Sequence, residues 1–134
     1  MVPELTSKEF WKHQINLGLS RFFLLMVLHR APRHAYAAVR ELSTLTSGCC
    51  TPTLATVYPL LDEMEREGYL ESRPDFTGAR RRRVYRLTPR GEQAYRAAAQ
   101  AWAEVVPLVQ RALEGERETV EVKVDAGFAR EVKG

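Results

Sequence analysis

Across residues 51–91 a helix-period apolar pattern stops at a glycine and gives way to two short β-type segments, the second loaded with arginine. Leu54, Val57, Leu61 and Met64 recur at helical spacing and form one apolar stripe. Thr51 reads as the cap of this helix and Pro52 as its first residue, where the missing N–H of proline costs nothing. Pro59 lies inside the run and removes one backbone donor, so a local distortion is expected. Gly68 stops the helix in the left-handed conformation that suits glycine. Residues 69–73 and 82–88 then read as antiparallel strands around a tip containing Pro74, Asp75, Thr77 and Gly78.

Charge is concentrated on that hairpin. Residues 73–90 hold Arg73, Arg80, Arg81, Arg82, Arg83, Arg86 and Arg90 against Asp75 alone. The chain of 134 residues has a formal net charge of +3, so everything outside the hairpin is neutral to acidic in sum. A body of that kind with one basic protrusion suits a polyanion contacted at one place. A solvated charge run is the bland alternative, but this run lies in a strand pattern and not in a tail. A helix feeding a basic β-hairpin is the DNA-reading half of a winged helix.

The rest of the chain is read around this half. Thr6-Ser7-Lys8-Glu9 fits a capping box, with Thr6 as cap. Phe10, Trp11, Ile15, Leu19, Phe22, Phe23, Met26 and Val27 continue a first helix that Pro32 halts near Arg30. Gly18 weakens it by about 1 kcal/mol relative to alanine and marks a point for a bend or a break. A second helix over 34–44 buries Tyr36, Val39 and Leu42, and the polar stretch 43–50 is the turn. Thr88-Pro89 opens a last helix whose stripe runs through Tyr95, Ala98, Trp102, Val105 or Val106, Val109 and Leu113, with Pro107 as a kink or interruption. Residues 119–125 alternate as a strand would, Val120, Val122 and Val124 on one side. The expected organisation is a DNA-binding domain over 1–88, a dimerisation helix over 89–115 and a tail with a short strand over 116–134. An apolar stripe this long beyond a complete domain needs a partner surface, and a second copy of the chain is the simplest.

No secretory signal is read at the N-terminus, and the apolar run 22–28 is too short to span a bilayer. Two adjacent cysteines, Cys49 and Cys50, do not read as a structural disulfide. A cytoplasmic protein that makes no use of a membrane is expected.

These residues together resemble the PadR family of transcriptional regulators. The run Thr56-Val57-Tyr58-Pro59-Leu60-Leu61 with Glu67-Gly68 is similar to the family's recognition helix. Val84-Tyr85-Arg86-Leu87-Thr88 followed by Gly91 is similar to its second wing strand and entry to the last helix. His34-Ala35-Tyr36 resembles the family's His-Gly-Tyr, with alanine for glycine, a departure that matters only where φ > 0 or a close backbone approach is required. The resemblance covers residues 17–113. It implies a mainly α fold with a small β-hairpin wing, a winged helix-turn-helix plus one C-terminal dimerisation helix. It also implies a homodimeric repressor on an inverted repeat, with release from DNA by phenolic or multidrug-type aromatic compounds in some members.

Thr51, Thr53 and Thr56 are candidates for base or phosphate contact, their methyls suiting thymine methyls. Thr56 points most directly away from the core stripe. Tyr58 sits at the stripe's edge, its ring placed for packing and its hydroxyl for a phosphate. Arg80, Arg81, Arg82 and Arg83 are wing candidates, with alternation sending Arg81 and Arg83 to one face and Arg82 to the other. Tyr85 reads as wing core. Trp102 lies eleven residues beyond Gly91, matching the tryptophan of multidrug-binding members of the family. It is the candidate for stacking on a planar ligand, with Phe10, Trp11 and Ile15 lining the same cavity, and interface packing is the alternative.

Cys49-Cys50 suggests a second reading, a thiol-based redox or metalloid sensor, against two small turn residues. A third is a protein-interaction module docking on an acidic partner. Two thiols make a poor zinc site, and His13, His29 and His34 read as surface or capping residues, so no metal or cofactor is expected. No nucleophile–base–orienter set, glycine-rich phosphate loop or catalytic carboxylate pair can be assembled, and an enzyme is not expected.

Overall fold

Ser7, not Thr6, opens the first helix. In the computed structural model, which describes residues 4–48, 51–78 and 82–126, the Ser7 hydroxyl accepts from the Phe10 amide at 3.4 Å. The Thr6 hydroxyl instead donates to the Glu4 carboxylate. With two hydroxyl residues side by side, the cap goes to the one left free. Helix α1 (Lys8–Arg30) then runs unbroken through Gly18. Gly18's cost of about 1 kcal/mol is too small to break a helix of 23 residues.

After Pro32 come β1 (Arg33–His34), α2 (Ala35–Leu45), α3 (Leu54–Arg66), β2 (Leu70–Asp75), β3 (Arg82–Leu87) and α4 (Pro89–Ala126). The sheet is antiparallel in the order β1-β3-β2. Its two-residue first strand pairs Arg33 with Tyr85 and His34 with Val84. The sequence pattern did not suggest this strand. Pro74 and Asp75, expected at the tip, lie in β2 opposite Arg83 and Arg82.

The core draws on α1, α2, α3, β2 and β3. Leu24, Val27 and Leu28 of α1 meet Ala35, Ala38 and Leu42 of α2, and Val57, Leu61 and Met64 of α3, with Leu70 and Tyr85 from the sheet. Each fully buried leucine contributes about 1.5–3 kcal/mol through apolar burial. The buried face of α2 is thus built from two alanines and a leucine. Tyr36, expected inside, is 58% exposed, because it lies away from the helix face that Ala35, Ala38 and Leu42 turn to the core. In α1 the burial lies between Ser20 and Leu28, and Trp11 and Ile15 of the expected stripe are exposed.

Two glycines are required where they stand. Gly68, at φ +85°, closes α3: its amide donates to the Glu65 carbonyl at 3.1 Å, and the Tyr69 amide to Met64 at 2.9 Å. Gly91 lies against the Tyr69 carbonyl, which any Cβ would overlap. Between them Thr88 caps α4. Its hydroxyl accepts from the Gly91 amide at 3.1 Å and donates to the Gly68 carbonyl at 2.6 Å, while its own amide donates to the Tyr69 carbonyl at 3.1 Å.

Ala35 needs no glycine: it is buried in the first turn of α2, and among the described residues Ser47 alone has a positive φ without being glycine. The chain divides into two units, Met1–Ala98 and Ala99–Gly134, a division that falls inside α4. In the first unit the His29 ring stacks on Tyr95 at 4.3 Å and its Nδ1 lies 2.7 Å from Glu92. In the second, Pro107 does not interrupt α4, and residues 119–125, expected as a strand, are helical. A strand needs a neighbouring edge for its amides, whereas a helix satisfies its own. Among the described residues no helix is long and apolar enough to cross a membrane.

Candidate nucleic-acid interface

The polar side of α3 follows from its apolar side. Val57, Leu61 and Met64 are consumed by the core, which turns Thr53 and Thr56 to solvent. The cap is Thr53, not Thr51: its hydroxyl accepts from the Thr56 amide at 3.2 Å, and the helix begins at Leu54. Pro52 therefore precedes the helix. Thr53 supplies the same acceptor as Thr51 one step before the first residue of the stripe. The two threonine hydroxyls lie 3.1 Å apart. Thr51 is partly buried, and its hydroxyl oxygen is shielded without a partner among the described residues. Tyr58 is 49% exposed, so its ring is not core. Pro59 sits inside α3 without ending it. Both Pro59 and Ala55 are on the exposed side, where water can satisfy the carbonyl that proline leaves unpaired.

On the hairpin, Arg82 and Arg83 are exposed, and Arg80 and Arg81 lie outside the described residues. The two described arginines are not equivalent. Arg83 Nε donates to the Ser72 hydroxyl at 2.9 Å, and that hydroxyl donates to Glu65 of α3 at 2.6 Å. Arg82 makes no such bond among the described residues and lines a groove of about 970 Å³ that also includes Tyr36, Arg40, Tyr58 and His34. Tyr85, as expected, is buried in the wing, and burial, reinforced by Asp62 and Glu65, pushes its hydroxyl pKa up.

Asp75 is tied down at the end of β2. The Thr77 hydroxyl and amide donate to it at 2.7 and 3.0 Å, and His34 Nε2 lies 2.8 Å from its other oxygen. These bonds, those of Thr77 first, hold its pKa at about 2. The pair joins the start of α2 to the far end of the hairpin, so His34 has a partner that its surface reading did not anticipate. Tyr36, Arg40 and Thr44 follow at i, i+4 and i+8 on the exposed side of α2 and all line the groove. A wheel built on Ala35, Ala38 and Leu42 would have found them.

The ligand candidates divide between the units. Phe10 and Trp11 form an edge-on pair with ring centres 5.3 Å apart, and Trp11 Nε1 donates to the Leu5 carbonyl at 2.9 Å. Ile15 is exposed one turn further along α1. Trp102 belongs to the second unit and is partly buried. In that unit Val105, Val106, Leu108, Val109 and Leu113 are exposed on α4. Cys49 and Cys50 lie outside the described residues. Among the described residues no three His, Cys, Asp or Glu side chains gather as metal ligands.

A family model described as the transcriptional regulator PadR-like family matches residues 24–97. Among solved structures, a PadR family transcriptional regulator from Eggerthella lenta is similar at 29% identity, over 75% of this chain and 87% of that one, with a TM-score of 0.65. A transcriptional regulator from Clostridium thermocellum is similar at 20% identity over 73% and 93% of the two chains, TM-score 0.66. A PadR-like regulator from Bacillus cereus is similar at 22% identity over 75% and 96%, TM-score 0.65. The last two speak to the fold alone. No curated protein matches the chain.

Proposed function

The chain belongs to the PadR-like family of transcriptional regulators, and from that premise we propose that it is a homodimeric repressor that binds an inverted-repeat operator and is released by a small aromatic effector. The observation that carries the DNA half of this reading is the outward face of α3. Thr53, Thr56 and Tyr58 are presented to solvent beside the arginine-bearing β3 of the wing, while the same helix is anchored by Val57, Leu61 and Met64. Hydroxyls of this kind suit base edges and phosphates in the major groove, and wing arginines suit the flanking backbone.

The dimer is supported by the five exposed apolar residues of α4, a face that costs free energy while it meets water. The effector rests on Trp102 in that helix, a flat aromatic suited to stacking on a planar ligand, with Phe10, Trp11 and Ile15 as further candidates.

The test is selection of DNA fragments from a random pool by the purified protein. The expected product is a palindrome whose half-sites lie about 10–10.5 bp, or a multiple of that, apart. Enrichment of no sequence would remove the operator reading. For the effector, planar phenolic or cationic compounds should quench tryptophan fluorescence and weaken binding to the selected DNA, and Trp102→Ala should lose both effects while remaining dimeric. A dimeric Trp102→Ala protein that still responds would place the ligand elsewhere.

A further inference from the structure

The groove beside α3 is bounded by Tyr36 and Arg40 of α2, Tyr58 of α3 and Arg82 of β3. Its two nearby carboxylates are already engaged. Glu41 lies between the guanidinium groups of Arg30 and Arg33, at 3.6 and 3.9 Å. Asp75 is held by His34 and Thr77. The groove's own arginines are not spent in this way. Arg40 lies over the Tyr36 ring, 5.9 Å from its centre, and neither Arg40 nor Arg82 has a carboxylate partner among the described residues. Two cations therefore face one cleft whose nearby carboxylates are engaged by other side chains, and two exposed tyrosines border it.

We propose that this groove seats one sugar-phosphate strand of the DNA, with Tyr36 and Arg40 as phosphate-holding residues on the α2 wall and Arg82 on the wing wall. The chemistry is that of an extended anion: guanidinium groups give charge-assisted bonds to phosphate oxygens, and the phenol hydroxyls donate neutral ones. At about 970 Å³ the groove is too large for one phosphate and suits a run of backbone. Its overlap with the proposed DNA surface favours DNA over an acidic protein, because Tyr58 of α3 and Arg82 of the wing both line the groove. The proposal rests on the DNA reading above and deepens it: Tyr36 and Arg40 position the duplex so that Thr56 meets the base edges.

The test uses the full chain and its selected duplex. Phosphate ethylation interference and salt titration are compared for wild type, Arg40→Gln, Arg40→Lys and Tyr36→Phe. In Arg40→Gln one symmetry-related pair of interfering phosphates should disappear, and the slope of log K against log salt should become shallower by about 1. Arg40→Lys should restore the slope. Tyr36→Phe should weaken binding roughly 2- to 10-fold with the slope unchanged, since a neutral bond is lost. Base preference should be unaltered in all three. Unchanged affinity, slope and interference in Arg40→Gln and Tyr36→Phe, with Thr56→Ala still altering base preference, would overturn the groove assignment and leave the DNA reading standing. Loss of poly-glutamate binding in Arg40→Gln with DNA binding intact would also overturn it, in favour of an acidic protein. If wild type selects no duplex, the DNA reading and this proposal fail together.

Discussion

Arg21 of α1 and Glu63 of α3 are joined at two points, Nε to Oε2 at 2.8 Å and Nη2 to Oε1 at 3.1 Å. The contact lowers the Glu63 carboxyl pKa and raises that of the guanidinium. Among the described residues it is the side-chain ion pair that ties α3 to the first helix.

Because the two side chains are 56% and 42% exposed, the pair is screened by solvent and salt. Arg21→Gln and Glu63→Gln should leave the urea midpoint almost unchanged. A double-mutant cycle should show a coupling that shrinks as salt rises. A large coupling that salt does not touch would mean that the pair is shielded by a partner chain.

Thr53 and Thr56 should separate cleanly, since one hydroxyl caps and the other does not. Thr53→Ala should cost about 0.5–2 kcal/mol of stability, read by urea denaturation. Thr56→Ala should cost little stability but change preference at one symmetric pair of operator positions, by about 1–3 kcal/mol against the right sequence. A uniform loss across all sequences would assign Thr56 to a phosphate instead.

The two described wing arginines should also differ. Arg82→Ala should make the salt slope shallower by about 1. Arg83→Ala should change it less, because its guanidinium is held by Ser72. Equal slope changes would show that DNA draws Arg83 away from that contact.

Acid should reach the hairpin through Asp75. Its folded pKa, about 2, lies below the ordinary value of 3.8, so its contribution to stability is fully present above about pH 4 and is lost as pH falls towards 2. Urea midpoints of wild type and Asp75→Asn should therefore differ by a constant amount at neutral pH and converge over that acid window. A difference independent of pH down to 2 would show that ionised Asp75 does not stabilise the fold.

Much of this architecture is legible in the residues, and the exceptions have physical causes. The stripe of α3, the Gly68 stop and the paired hairpin strands follow from local periodicity and turn chemistry. The Thr88 cap does too. β1 does not, because two residues carry no period, and only the free edge of β3 makes Arg33 and His34 a strand. Tyr36 is apolar enough to read as core, yet the buried face of α2 is the one that carries Ala35, Ala38 and Leu42, and Tyr36 lies off it. Caps shifted from Thr6 to Ser7 and from Thr51 to Thr53 because several hydroxyl residues in a row each qualify and local sequence cannot rank them. The site divides in the same way. Thr56 and Arg82 are visible from α3 and β3 alone, whereas Arg40 gains its setting only when three elements fold around one groove.

Thr88 carries a consequence beyond capping. One residue accepts from the first turn of α4, donates to the stop of α3 and binds the backbone between them. The end of α3 and the start of α4 are thus pinned at a single point. A twist applied to the opening turn of α4 has no slack in which to dissipate there: it must either break one of three hydrogen bonds or turn the base of α3 with it.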